Sequence, residues 1–329
     1  MAGQQDPGAD LVAVMDPEVE LSFVIPVYNG SRTIGSVVQH IHQLFGDLGF
    51  EVILVNDGSQ DDTKETCGAL VQEYPETLTF IHLARNFGEH NAVLAGLNHA
   101  AGAYVAVLDD DGQNPPEEVR RMYDEIRATD CDVIYGRYRV KRHGWFRNLG
   151  SWFNDRMATI MLKKPRGLYL SSFKIMNRFL VDEITAYTGA FPYIDGLILR
   201  TTRNVGQIDV EHRARADAKS SYTLPKLILL WVNMFLNFSM IPLRVAALLG
   251  TCTSVASLFL LMVIVIDKLY INPNVPVGVP TVLATIVFFS GVQLVILGTM
   301  GEYLGRLFLD HSKNPQFVVR YVKDRRRSA

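Results

Sequence analysis

Three cysteines in 329 residues, Cys67, Cys131 and Cys252, are too few and too scattered for a disulfide framework or a zinc cluster, and they fit a reducing compartment. No excess of basic charge is present either. Thirty-two Lys and Arg face 34 Asp and Glu, a net charge of −2, which speaks against a nucleic-acid binder. The chain contains no G-x-G-x-x-G, no G-x-x-x-x-G-K-[ST] and no internal repeat, so neither a dinucleotide fold nor a P-loop ATPase is supported. The first 20 residues lack the basic and apolar regions of a signal peptide and read as a disordered leader. The eight histidines show no metal-ligand spacing, and only His90 falls inside a motif of interest.

Apolar residues make up 48% of the chain, an ordinary share, but they are unevenly spread. Val245–Ile266 and Thr281–Gly301 are uncharged stretches that reach the ~20 residues a helix needs to cross a bilayer. Arg306, Lys313, Arg320, Lys323 and Arg325–Arg327 follow the second stretch, so the positive-inside rule places a basic tail, 302–329, in the cytoplasm. Two spans within 244–301 return the large N-terminal region to that same side. Residues 225–243 are uncharged after Lys226 but bounded by Pro225 and Pro242, with Asn233 and Asn237 on one helical stripe. They read as an amphipathic helix lying in the interface.

Residues 21–224 form the soluble part. Short apolar runs at Leu21–Val27, Val52–Val55, Leu78–Leu83, Tyr104–Leu108 and Val133–Tyr135 alternate with helical periodicity at Ile34–Leu48, Thr63–Tyr74, Glu89–Ala101 and Val119–Ile126. That alternation predicts an α/β domain with a mostly parallel, Rossmann-like sheet, whose ligands bind at the carboxyl ends of the strands. Pro26, Tyr28 and Asn29 close the first strand, Asp57 follows the second, and Asp109-Asp110-Asp111 follows the fourth. Three carboxylates after an apolar strand need a positive partner. Asp109 and Asp111, two apart, can share Mg²⁺ or Mn²⁺ together with phosphate oxygens and water. A helix N-cap ahead of Pro115 is the competing use for one of them.

The segments FVIPVYN (Phe23–Asn29), VNDGSQD (Val55–Asp61), LARNFGEHNAV (Leu83–Val93), LDDDGQNPPEE (Leu108–Glu118), YGR (Tyr135–Arg137), SSFK (Ser171–Lys174), R-x-x-x-K-S-S-Y (Arg215–Tyr222) and GEYLGR (Gly301–Arg306) occur in that order. Together they resemble the family 2 glycosyltransferases, and among them the polyisoprenyl-phosphate glycosyltransferases. The resemblance implies a GT-A fold and transfer, with inversion, of a sugar from a nucleotide-sugar, a UDP-sugar, to a polyprenyl phosphate at the cytoplasmic leaflet. It also implies a homotetramer. By motif position, Pro26, Tyr28, Asn29, Asp57, Asn86 and Gly88 would hold the base and ribose, and Asp110 would lie close to the sugar or ribose. Asp109 and Asp111 would hold the metal on the diphosphate, and Gln113 would face the sugar and acceptor.

A phosphate acceptor, largely dianionic near neutrality, needs positioning and cations more than a strong base. Arg137, Lys174, Arg215 and Lys219 are the candidate cations, with Arg137 and Arg215 each inside a matching motif. Three departures concern the sugar and any general base. Gly30 stands where relatives commonly carry an acid, Tyr169–Ser172 where several branches carry an Asp, and Ala218 where Gly is frequent. The rival functions are a processive polysaccharide synthase, against which the missing Q-x-x-R-W counts, and a catalytically silent membrane scaffold.

Overall fold

The computed structural model describes residues 15–138, 164–165, 167–189, 192–211, 278–311 and 315–324, with Leu248, Cys252, Phe259, Met262, Ile266 and Tyr270 as isolated positions. The chain divides into two units, Met1–Ser221 with Pro315–Ala329, and Tyr222–Asn314.

The first unit is an α/β layer structure. β1 (Leu21–Val27), α1 (Ile34–Leu44), β2 (Phe50–Asn56), α2 (Thr63–Glu73), β3 (Leu78–Leu83), α3 (Glu89–Leu97), β4 (Tyr104–Val107), α4 (Pro116–Thr129) and β5 (Val133–Tyr138) follow in sequence. These match the periodicity, with α1 ending at Leu44 and α3 at Leu97, short of the expected Leu48 and Ala101, and with α4 opening at the Pro115-Pro116 pair, where a fixed φ suits the first helical turn. Beyond them lie β6 (Lys174–Asn177), α5 (Arg178–Thr185), α6 (Ile194–Thr201), β7 (Val205–Val210) and β8 (Val319–Lys323). The sheet order is β7-β5-β6-β4-β1-β2-β3-β8. The centre, β4-β1-β2-β3, is parallel throughout, whereas β6 and β8 run antiparallel to their neighbours.

Parallel strands covered on both faces must be apolar on both faces, which is why β1 and β3 read as runs rather than alternations. Phe23, Ile25, Leu54 and Phe80 are fully buried under Ile34, Val38 and Ile41 of α1, within one core. On the other face Gly96 of α3 sits so close to β1 that a Cβ there would lie 2.4 Å from Val24. A larger residue would push the helix off the sheet.

Two boundaries differ from the sequence reading. Residues 16–20 of the supposed leader are tied to the domain, since Asp16 N–H donates to Ala101 O at 3.0 Å and Ala103 N–H to Val19 O at 3.2 Å. Val319–Lys323 of the supposed tail is an edge strand on β3, and Gln316 Nε2 donates to the carbonyls of Tyr187 and Gly189, both at 2.8 Å. Val319 and Tyr321, alternate and half-buried, help to cover an otherwise bare edge of six buried residues. Deleting residues 315–329 is expected to lower the melting temperature by about 5–10 °C and promote aggregation, read by light scattering during a thermal melt in detergent.

In the second unit a continuous helix, α7, covers Val279–His311 and contains the whole 281–301 stretch. Among the described residues no helix is long and apolar enough to cross a membrane, and many side chains of α7 are not among them. The stretch 245–266 lies, apart from isolated positions, outside the described residues, as do 225–243 and the leader up to residue 14.

Candidate functional site

From β1 the chain moves outward to β2 and β3 on one side, then returns to lay β4 on the other. In such a sheet the crevice opens at the carboxyl ends of β1 and β4, where the direction of strand addition reverses. The loops after β1, β2, β3 and β4 meet there, and they carry Tyr28, Asn29, Asp57, Asn86, Gly88, the three acids and Gln113.

The acidic loop is the centre of the site. Asp109 lies just past β4, and its Oδ2 accepts from Ser172 Oγ at 2.8 Å and from Asn114 Nδ2 at 2.9 Å. Both donors hold the same oxygen, and among the described residues none holds Oδ1. Burial, followed by the nearby Asp111 charge, keeps the Asp109 carboxyl above the usual carboxylate range despite these bonds. Asp111 Oδ1 accepts the Gln113 amide at 3.0 Å, closing a tight turn through Gly112 at φ +69°. Asn114 is buried, and its Oδ1 accepts from Tyr138 O–H at 2.8 Å. Sequence reasoning missed Asn114, Ser172 and Tyr138. Asn114 stood in the quoted motif, while Ser172 reaches Asp109 only through a β4–β6 pairing that no local pattern announces.

The donor set suits a hard divalent cation. An Asp pair with one free carboxylate oxygen supplies oxygen ligands and leaves positions for phosphate and water. Among the described residues no group of three or more His, Cys, Asp or Glu could hold a metal by itself. A site of this kind is complete only with its phosphate-bearing substrate.

On the β1–β3 side, Tyr28 is half exposed and Asn29 adopts the left-handed φ of +56°, its N–H on Ser59 Oγ at 3.0 Å and its Oδ1 accepting the Gln60 amide at 2.9 Å. Asn tolerates that conformation better than most residues. Pro26 lies one residue before the end of β1 and Asn86 is exposed at the rim. Asp57, expected at the base and ribose, is 3% exposed, and its two oxygens accept the Phe87 and Gly88 amides at 2.7 and 2.9 Å. Its carboxylate therefore shapes the Asn86–Gly88 loop from beneath. Gly58, at φ +65°, is required there, because a Cβ would lie 2.5 Å from the Arg85–Asn86 peptide.

Lys174 needs a larger correction. The motif reading gives it to the lipid phosphate, but it lies on β6 with a side chain 4% exposed and is ion-paired to Asp195. Tyr135 O–H donates to the same Asp195 oxygen at 3.0 Å. The pair braces β5, β6 and α6 behind the acidic loop and offers no cation to solvent. Glu89 is exposed at the start of α3. His90, packed edge-on to Tyr193 at 4.9 Å, is pushed down to about 4 by burial and is neutral at physiological pH. Arg137 remains half exposed on β5, paired across to Asp209 of β7. Arg215 and Lys219 lie outside the described residues.

Asp110, expected by the sugar or ribose, turns toward β1, where its Oδ2 accepts the Tyr28 amide at 3.0 Å.

Residues 22–185 match the family model Glycosyl transferase family 2. An undecaprenyl-phosphate 4-deoxy-4-formamido-L-arabinose transferase from Serratia proteamaculans (strain 568) is 30% identical over 312 residues, 94% of this chain and 95% of that protein. The chain belongs to glycosyl transferase family 2. This family 2 enzyme is also 29% identical to the like-named transferase of Sodalis glossinidius (strain morsitans), over 92% of this chain and 94% of that one. Glucosyl-3-phosphoglycerate synthase from Mycobacterium tuberculosis, solved with Mn²⁺, UDP and phosphoglyceric acid, superposes with a TM-score of 0.50. It covers 66% of this glycosyltransferase and 76% of its own chain at 18% identity, a likeness that shows the GT-A fold.

Proposed function

We propose that this glycosyltransferase moves a sugar from a UDP-sugar to a polyprenyl phosphate with inversion, at the cytoplasmic face of a membrane, with Mg²⁺ or Mn²⁺ on the donor diphosphate. The observation that carries the reading is the near-full-length similarity to undecaprenyl-phosphate sugar transferases, which continues past the catalytic domain into the apolar C-terminal third. The fold neighbour's Mn²⁺ and UDP support the donor class.

The residues support such a reaction. Asp109 and Asp111 would hold the cation, which when bound offsets the charge developing on the departing nucleotide diphosphate. Ser172 and Asn114 fix the Asp109 carboxylate so that its second oxygen faces the ligand. Gln113 follows the acidic turn on the sugar and acceptor side. The acceptor phosphate has its second pKa at about 6, so near neutrality it attacks as a dianion without a strong base. Arg137, with Arg215 and Lys219, would dock that dianion. Lys174 is committed to Asp195 and holds the wall behind it.

Topology supports the membrane arrangement. β8 is hydrogen-bonded into the catalytic sheet, so a chain that enters a bilayer after β7 must leave it on the side it came from. Two spans, 245–266 and 281–301, satisfy this, and a third at 225–243 would not.

The test is turnover by detergent-purified protein offered undecaprenyl phosphate and a panel of UDP- and GDP-sugars, with Mg²⁺, Mn²⁺ or EDTA, and mass spectrometry of the lipid product. A sugar-phosphate-lipid that disappears with EDTA is the expected result. Nucleotide release without glycolipid would overturn the acceptor. Absence of turnover with every donor would favour the scaffold.

A further inference from the structure

We propose that Asp110 and Gly30 form one coupled device that sets the turn after β1, Asp110 acting as a positioning residue through the Tyr28 amide and Gly30 giving it clearance. This rests on the reading of that turn as part of the donor-nucleotide pocket. Of the three consecutive acids, Asp109 is held by Ser172 and Asn114 and Asp111 closes the turn onto Gln113, while Asp110 reaches across to β1. The β1–β4 pairing ends at Val24 opposite Val107, with Leu108 N–H on Val24 O at 3.2 Å, and the turn that follows carries Asp110 to the end of β1, across the point where strand order reverses. There the Asp110 Oδ2 receives the Tyr28 amide at 3.0 Å. The same oxygen fills the place where a side chain at position 30 would begin. A Cβ on Gly30 would lie 2.3 Å from Oδ2 and 3.0 Å from both Asp110 Cγ and Val27 Cγ1. No φ requirement imposes glycine there, so packing excludes a side chain, the carboxylate first and the Val27 methyl second.

The turn needs this hold. Asn29 sits at φ +56°, a conformation kept only where neighbours fix it. Ser59, Gln60 and Asp61 restrain it from the β2 side: Asn29 N–H on Ser59, Gln60 N–H on Asn29, and Ser31 on Asp61. Asp110 restrains it from the opposite side and belongs to the loop that would carry the metal. Base and ribose at Tyr28–Asn29, and diphosphate at Asp109 and Asp111, are parts of one covalently continuous donor. A bond between the two loops fixes their separation before the donor arrives, and preorganisation of this kind saves ordering cost on binding.

The experiment is a double-mutant cycle on the full-length protein, reading UDP affinity by calorimetry with and without Mn²⁺, and melting temperature in parallel. Gly30→Ala is expected to weaken UDP binding about tenfold, because the new methyl meets the carboxylate. Asp110→Ala is expected to weaken it about fivefold by freeing the turn. Gly30→Ala/Asp110→Ala should bind about as well as Asp110→Ala, since the main obstacle is gone and only the Val27 methyl has to give by a few tenths of an ångström. Asp110→Asn, whose amide oxygen can still accept the Tyr28 N–H, should restore binding to within about threefold of the parent and keep its Mn²⁺ enhancement. Additive effects of the two alanine changes would overturn the coupling. An Asp110→Asn variant that loses the Mn²⁺ enhancement would overturn the positioning role and make Asp110 a ligand. If the parent binds no UDP, the nucleotide reading fails, and the cycle in melting temperature decides the coupling alone: non-additive supports it, additive removes it.

Discussion

Replacing Asp109 with Asn is expected to abolish metal-dependent turnover while leaving the metal-free protein at least as stable as the parent. The loss should be about 10³-fold or more, since charge stabilisation of several kcal/mol at the diphosphate goes with the ligand. Stability moves the other way for a reason visible in the geometry. The carboxyl is raised first by burial and then by the Asp111 charge, and the Ser172 and Asn114 bonds offset this only in part, so at neutral pH its ionised form burdens the native state. A group with a raised native value contributes its stability below the ordinary carboxylate range and loses it as pH rises through the native value. The carboxamide oxygen of the Asp109→Asn variant would keep the bonds from Ser172 and Asn114 without the charge. Thermal melts in EDTA at pH 5 and pH 7.5 should therefore show the variant gaining on the parent at the higher pH. A variant with full, EDTA-sensitive turnover would remove Asp109 from the metal site.

The second large effect belongs to the buried pair behind the site. Lys174→Met leaves Asp195 without its cation and, among the described residues, with the Tyr135 hydroxyl as its remaining donor, and the cost is expected to be about 3–5 kcal/mol, measured by denaturant unfolding in detergent. Most of that is the penalty of a stranded charge, so Lys174→Met/Asp195→Leu should recover much of it. A lipid-phosphate role would give the reverse pattern: little change in stability for Lys174→Met, a higher acceptor KM, and no recovery in the double variant.

What could be read from the chain was local. β1 to β5 and α1 to α4 appeared because apolar runs and 3.6-residue spacing are written into adjacent residues. Their strand ends then fixed where Tyr28, Asp57, Asn86 and Asp109 would gather, as a parallel sheet sends all such ends to one edge. β6, β7 and β8 were not legible. β6 has four residues, β7 is half-exposed on almost its whole length, and β8 is a short alternating strand that follows a long apolar region. Each is a strand because of a partner far away in sequence, and propensity carries little of that.

The same division runs through the site. Residue types and spacing alone determined that Asp109 and Asp111 form an oxygen-rich pair after a strand, and that 245–266 and 281–301 are apolar stretches of about the length a bilayer needs. Only tertiary structure decided how each charge is used. Asp57 supports a loop 30 residues on, Lys174 is spent on Asp195 21 residues on, and Asp110 reaches back 82 residues to the Tyr28 amide. A carboxylate's role depends on which donor stands within about 3 Å of it. That is a pairwise distance set by strand order and register, and the order of residues along the chain does not contain it.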